Sequence, residues 1–144
     1  MARLQLRELC GYRAGDKGDI ANVAIFADDD ETYALIVREA TAERVKAHFG
    51  AMVNGRVDRY EAPNVRALNF VMYAALGGGG PRSLRSDALG KTLGGALVRM
   101  AIEVPDDLAG RRRERPDVSW ADDVIGSTMR RAKQSEASSR ESRA

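Results

Sequence analysis

The residues best suited to chemistry lie in one polar turn near the N-terminus. Arg13 to Asn22 reads Arg-Ala-Gly-Asp-Lys-Gly-Asp-Ile-Ala-Asn. Gly15 and Gly18 can adopt positive φ angles, so we expect the backbone between them to fold tightly and to direct several N–H groups at one point. The lysine, two aspartates and asparagine exceed what a hairpin turn requires. The turn is therefore either a ligand site or a connection whose carboxylates bind its own amides.

A second candidate is the segment Gly77 to Arg85, which reads Gly-Gly-Gly-Gly-Pro-Arg-Ser-Leu-Arg. Consecutive glycines lose much conformational entropy on folding, so an ordered chain that retains them usually needs close backbone approach. The spacing matches neither a P-loop nor a dinucleotide fingerprint. The segment is either an anion-binding nest, with Arg82, Ser83 and Arg85 on a carboxylate or phosphate, or a surface loop with solvated arginines.

Asparagines interrupt two apolar runs, Ile20 to Ala27 and Ala67 to Met72. We expect the first run to be a central strand that is buried on both faces. An amide buried without a partner costs about 1–3 kcal/mol, so Asn22 and Asn69 must each find hydrogen bonds. They either line one polar site or are satisfied core amides.

These features predict one ligand-binding site if the two loops lie at the same end of a sheet. Its predicted members are Gly15, Asp16, Lys17, Gly18, Asp19, Asn22, Asn69, Gly78, Gly79, Arg82, Ser83 and Arg85. The basic side chains would surround an anion, and the two aspartates would orient Lys17 and Arg82 or act as acid and base groups. No catalytic residue is assigned.

Cys10 and His48 are the single cysteine and the single histidine of the chain. Alone, neither can build a metal site, and no base or nucleophile is evident beside either of them. We predict that Cys10 is an apolar strand residue and that His48 faces solvent on a helix. The sequence predicts no metal and no cofactor. A single cysteine excludes an internal disulfide and suits the cytoplasm.

The chain has 144 residues, of which 44% are hydrophobic, and this is enough for one domain with an ordinary core. Few apolar residues follow Val104, so we predict a domain over residues 1–105 and a mostly disordered, charged tail over residues 106–144. Within the tail, Val118 to Ile125 forms an apolar island that contains Trp120, and the sequence does not decide whether it docks.

The formal net charge is only +2, and acidic and basic residues are mixed along the chain. Nucleic-acid binding needs a concentrated basic face, so we expect no nucleic-acid partner. The N-terminus lacks the apolar region of a signal peptide, and no window approaches a membrane span. We therefore predict a cytoplasmic protein with no membrane partner.

The periodicity of apolar residues defines the elements that must position these side chains. It predicts strands at residues 3–10, 20–27, 53–60, 65–73 and 100–104, and helices at residues 32–39, 41–50 and 87–97. This order is typical of an α+β fold, a two-layer ferredoxin-like sandwich with a mainly antiparallel sheet and helices on one face. The other face or an edge is free for another subunit, so we expect a homo-oligomer, most simply a dimer.

Taken together, four motifs resemble the AtuA-like ferredoxin-fold domain. They are the turn Arg13 to Asn22, Thr41 to Val45, Ala67 to Phe70, and the run from Leu76 to Gly80 with its following Arg-Ser-Leu-Arg. This small domain is fused to, or made as a separate partner of, the large AtuA-type protein linked to acyclic terpene utilisation in bacteria. The resemblance covers about residues 3–104 and implies a fold and a pathway, without a reaction or catalytic residues.

Two functions follow as expectations. In the first, the chain is a small accessory domain or subunit that acts with a larger AtuA-type partner in the catabolism of acyclic terpenoid or related branched acyl compounds. In the second, it is a stand-alone binding module or enzyme for an anionic small molecule such as an acyl-CoA or carboxylate. A neighbouring gene for the large protein favours the first, and retention of an acyl-CoA by the isolated protein favours the second.

Overall fold

Six strands organise the described part of the chain, residues 1–111 of the computed structural model. In chain order they are β1 (Ala2–Gln5), β2 (Cys10–Lys17), β3 (Ile20–Ala27), β4 (Val57–Ala62), β5 (Ala67–Met72) and β6 (Ala101–Val104). An antiparallel sheet has the strand order β2-β3-β5-β4, and β1 and β6 form a separate antiparallel pair. The predicted apolar island around Trp120 lies outside the described residues.

Four helices accompany these strands within residues 1–111: α1 (Asp30–Glu39), α2 (Ala42–Phe49), α3 (Leu93–Leu97) and α4 (Asp106–Ala109). Thr41 caps α2 as predicted, because its hydroxyl accepts the backbone N–H of Arg44 over 3.2 Å. Helix α4 follows the predicted boundary at residue 105, and its Leu108 belongs to the core. No helix in this part of the chain is both long and apolar enough to span a membrane.

The helices cover one face of the four-stranded sheet, and the predicted α+β class is correct. Alternate residues of β3 show this directly, since Val23 and Ile25 are fully buried. Their neighbours on the strand, Asn22, Ala24 and Phe26, lie on the opposite face, which we call the open face. The expectation that β3 is buried on both faces is wrong, because the Phe26 side chain is 37% exposed.

The predicted first strand is wrong, since residues 3–10 do not form one strand. Strand β1 ends at Gln5, and a short 3₁₀-helix over Leu6–Glu8 turns the chain before β2 begins. The backbone N–H of Leu6 donates to the carbonyl of Met100 over 3.0 Å, and the Leu6 side chain is fully buried. This contact between distant parts of the chain decides the break, which a local pattern cannot show.

Strand β2 continues to Lys17, so most of the predicted turn is strand. Lys17 pairs with Ile20, and only Gly18 and Asp19 connect β2 to β3, with Gly18 at a φ of 58°. In a ferredoxin-like β-α-β-β-α-β unit, the last strand is the one that follows the second helical region. In this chain that strand is β6, and it pairs with β1 outside the four-stranded sheet. The edge position beside β3 is occupied by β2. The hairpin therefore brings the polar residues of β2 onto the main sheet.

The predicted helix over residues 87–97 is also shorter than expected. Only Leu93–Leu97 is helical, because Gly90 has a φ of 65° and interrupts the chain before α3. Asp87 still acts as a cap for this turn. Its carboxylate accepts the backbone N–H groups of Lys91 and Thr92, each over 2.9 Å.

Candidate functional site

The Gly18–Asp19 turn and the segment after β5 lie against each other at one end of the sheet. Asp19 Oδ1 accepts the backbone N–H of Leu76 over 2.9 Å and that of Gly78 over 3.0 Å. The carbonyl of Asp19 accepts the backbone N–H of Ala75 over 3.0 Å. The two loops that the sequence singled out are therefore neighbours, which was the condition for a common site.

The glycine run adopts a backbone that requires glycine. Gly77, Gly78 and Gly79 have φ angles of 65°, 98° and 102°. A Cβ on Gly79 would lie 3.2 Å from both atoms of the Gly18 carbonyl, a tight contact that would push the two loops apart by a few tenths of an ångström. The backbone N–H of Ser83 donates to the carbonyl of Gly79 over 2.8 Å and closes the next turn. The run is an ordered structure that is held against the hairpin.

The carboxylate that occupies this nest belongs to the protein itself. Because Asp19 accepts the N–H groups of Leu76 and Gly78, these two donors are already used. Arg85 is also used, since its Nη1 donates to the carbonyl of Ala75 over 2.8 Å. The hydroxyl of Ser83 accepts the backbone N–H of Arg85 over 3.3 Å. These predicted site residues stabilise the loop through bonds within the chain.

Two cations remain uncommitted at this end of the sheet. The side chains of Lys17 and Arg82 are exposed and make no hydrogen bond or ion pair within residues 1–111. Asp16 does not orient either of them, because its Oδ1 pairs with Nζ of Lys91 over 2.6 Å. Leu84, between the two arginines of the loop, is 103% exposed. The anchored loop thus presents one apolar side chain and free positive charge.

The two asparagines meet on the open face. Asn22 Nδ2 donates to Asn69 Oδ1 over 3.1 Å, so one polar pair forms across β3 and β5. Gly15 leaves the room for it, since a Cβ at this position would lie 2.6 Å from Asn22 Oδ1. Glycine is needed at position 15 because a side chain would clash with Asn22, and not because of a positive φ angle.

The asparagine pair lies in a shallow depression of about 350 Å³. Its wall includes Arg13, Ala24 and Phe26, which were not among the predicted site residues. The signal that could have found them is the strand period. Because side chains alternate between the two faces of a strand, a β2 that continues to Lys17 has Arg13 and Gly15 on one face. Gly15 pairs with Asn22 of β3, so this is the face that carries Asn22.

Hydrogen bonds shift the acidity of one carboxylate beside the loop. The Thr92 hydroxyl donates to Asp87 Oδ2 over 2.5 Å, and backbone N–H groups donate to the same carboxylate. These bonds hold the pKa of Asp87 below its usual value, although partial burial acts in the opposite direction. Asp87 is thus charged at neutral pH and serves to order the chain before α3.

Groups that commonly carry catalysis are used elsewhere in the described chain. His48 is exposed on α2, and its Nε2 lies 2.8 Å from the carbonyl oxygen of Ala96. Cys10 is buried at the start of β2. Among residues 1–111, no three His, Cys, Asp or Glu side chains cluster in a way that could hold a metal ion. His48 and Cys10 therefore do not line the depression at the asparagine pair.

Comparison with known families identifies the domain. The family model of the AtuA ferredoxin-like domain matches residues 4–103, which is more than half of the chain. The chain belongs to this family, and the resemblance noted from its motifs is confirmed. No curated protein and no solved structure matches the chain.

Proposed function

We propose that the chain is an accessory module that acts with a larger AtuA-type protein in the breakdown of acyclic terpenoid or related branched acyl compounds. Membership in the AtuA ferredoxin-like family supports the association with AtuA proteins. The partner and the class of substrate are the proposal.

The observation that carries the proposal is an ordered loop with an exposed apolar tip. Fixing a loop costs conformational entropy of about 1–2 kcal/mol for each residue. The chain supplies hydrogen bonds from Leu76, Gly78 and Arg85 to hold this loop in place. Leu84 nevertheless gains no contact from the ordering, since it is 103% exposed. A rigid loop that presents a leucine is suited to insertion into an apolar pocket of a partner.

The positive charge at the same end of the sheet as Leu84 indicates the chemistry of the partner. Arg82 and Lys17 have no partner within residues 1–111. An acidic rim around an apolar pocket would satisfy these cations and increase the association rate. The proposed partner surface is therefore a hydrophobic pocket with carboxylates at its edge.

The test is co-expression of the tagged chain with a large AtuA-type protein of the same genome. We expect a stable complex on size exclusion with light scattering, and we expect Leu84→Asp to weaken it at least about tenfold, since a buried charge without a partner opposes association. Val65→Asp is the matched control. Val65 is 54% exposed and precedes β5, at the opposite end of the sheet.

A complex that forms equally well with Leu84→Asp would show that the loop is not the contact. Absence of any complex would remove the accessory role. The same measurement gives the mass of the chain alone and thereby tests the predicted homo-oligomer.

A deletion strain tests the pathway. Loss of the gene should slow growth on an acyclic terpenoid as the sole carbon source and leave growth on succinate unchanged. Complementation with the wild-type gene should restore growth, whereas the gene with Leu84→Asp should not. Equal growth of the deletion strain on both carbon sources would contradict the proposed substrate class.

A further inference from the structure

The strand register places large and small side chains next to each other on the open face, so the height of this surface varies. One row across the sheet consists of Arg13, Ala24, Asn69 and Tyr60, and the next consists of Gly15, Asn22, Val71 and Asp58. Gly15 and Ala24 are small, so the surface is lowest beside the asparagine pair. Arg13 and Phe26 rise on its border. The depression is a consequence of side-chain size at these register positions.

The polar groups around the depression are mostly donors. The single bond between Asn22 and Asn69 leaves one N–H of Asn22 and both N–H groups of Asn69 unused within residues 1–111. The Arg13 guanidinium adds five N–H donors, and its side chain is exposed without a hydrogen bond or ion pair in the same part of the chain. A ligand that only accepts hydrogen bonds complements this set.

The charge of the surface agrees with this preference. The acidic side chain on these rows of the open face is Asp58, which lies two strands from Asn22. Asp58 is already paired, since Nε of Arg56 lies 3.1 Å from its Oδ2. Arg13 therefore has no competing carboxylate beside it on β2 or β3. An anion is favoured at the Arg13 side of the depression.

The apolar side chains of the depression indicate that the remainder of the ligand is also apolar. Phe26 is 37% exposed and borders the depression, and Ala24 provides an apolar floor. The volume of about 350 Å³ is at the small end of ligand sites in proteins. A compact hydrocarbon chain or ring can cover both residues and remove their surface from water.

We propose that the depression binds a small-molecule carboxylate with an apolar body. The carboxylate pairs with Arg13 and accepts hydrogen bonds from the amides of Asn22 and Asn69. The apolar body lies against Phe26 and Ala24. This site is distinct from the Leu84 loop and does not depend on the proposed partner.

The test uses octanoate as the probe and records the side-chain amide signals of the ¹⁵N-labelled full chain by NMR. Octanoate should shift the signals of Asn22 and Asn69 in a saturable manner. Octanamide has the same apolar body and no charge, and its affinity should be at least about tenfold lower. Arg13→Ala should weaken octanoate binding by a similar factor. Arg3→Ala, which removes an exposed strand arginine of β1 outside the site, should leave the affinity unchanged.

Four outcomes would overturn the proposal. These are the absence of saturable shifts, equal binding of octanamide, equal effects of the two arginine substitutions, and shifts confined to the backbone of residues 77–85. A fifth result would show that the open face binds protein instead of a small molecule. If the asparagine signals change on dilution without octanoate, the open face contacts a second copy of the chain, and the small-molecule site is wrong. Loss of the AtuA-type complex in Leu84→Asp bears only on the proposed function.

Discussion

The two faces of the four-stranded sheet differ in what their residues are used for, although the same strands supply both. On the helix side, Val23, Ile25 and Phe70 are fully buried and form part of one core. On the open side, Asn22, Phe26 and their neighbours keep polar or apolar surface in contact with solvent. The helix side thus forms the core of the fold, whereas the open side keeps exposed polar and apolar groups.

The glycine loop belongs with the helix side in this respect, even though its sequence resembles a site. Asp19 binds the backbone N–H groups of Leu76 and Gly78, and this bonding is internal to the domain. Asn22 and Asn69 bind each other and retain donors toward solvent. Equally polar residues thus have opposite uses, and only their partners distinguish them.

The largest expected difference in stability is between substitutions of Phe70 and Phe26, which lie on opposite faces of the four-stranded sheet. Phe70→Ala should lower the free energy of unfolding by about 3–5 kcal/mol, because it leaves a cavity in the core. Phe26→Ala removes a ring that is 37% exposed and should cost about 1 kcal/mol or less. Urea unfolding of both variants measures the contrast. A cost for Phe26→Ala close to that for Phe70→Ala would mean that the open face is covered in solution.

A smaller effect is expected at Asp19. Asp19→Ala leaves the N–H groups of Leu76 and Gly78 without their acceptor and should lower stability by about 1–2 kcal/mol. Hydrogen exchange at these two amides should accelerate before exchange in β3 does. Lys17→Ala is the control, because this exposed side chain has no bond within residues 1–111, and its effect should stay below about 0.5 kcal/mol. Unchanged exchange in Asp19→Ala would show that the loop is held by other contacts.

The smallest effect concerns Asp87 and depends on pH. Hydrogen bonds from Thr92 and nearby N–H groups lower the folded-state pKa of Asp87 from the ordinary value of 3.8. Its stabilisation is therefore complete above about pH 5 and is lost as the pH falls through 3.8 toward the lower folded-state value. At neutral pH, Asp87→Asn should cost about 0.5–1 kcal/mol. The difference from wild type should shrink in acid, and a difference that is constant down to about pH 2 would exclude this role.

The open face and the segment before α3 should also respond differently to acid. The Asn22–Asn69 pair contains no ionisable group, whereas Asp87 orders the chain before α3 through its carboxylate. Partial acidification should therefore increase exchange at the amides of Lys91 and Thr92, which bind Asp87, before it alters the asparagine side-chain signals.

Much of the fold could be predicted because it follows local rules. Thr41 caps α2, and the apolar runs over residues 20–27 and 67–72 form β3 and β5. For Asn22 and Asn69 the sequence left open one shared polar spot or two satisfied core amides, and in the structure they bind each other. Their role in binding a ligand stays a prediction.

The rest could not be read from local patterns. The break at Leu6 depends on its bond to Met100, and the use of the nest by Asp19 depends on a turn and a loop that are far apart in the chain. The placement of Arg13 beside the asparagine pair depends on the register of β2 with β3, which follows from the short Gly18–Asp19 turn. The sequence by itself determined which residues are polar, which positions alternate and where glycine is required. The tertiary structure decided which of those polar groups bind each other and which face the helices leave open, because both depend on contacts between residues that are distant in the chain.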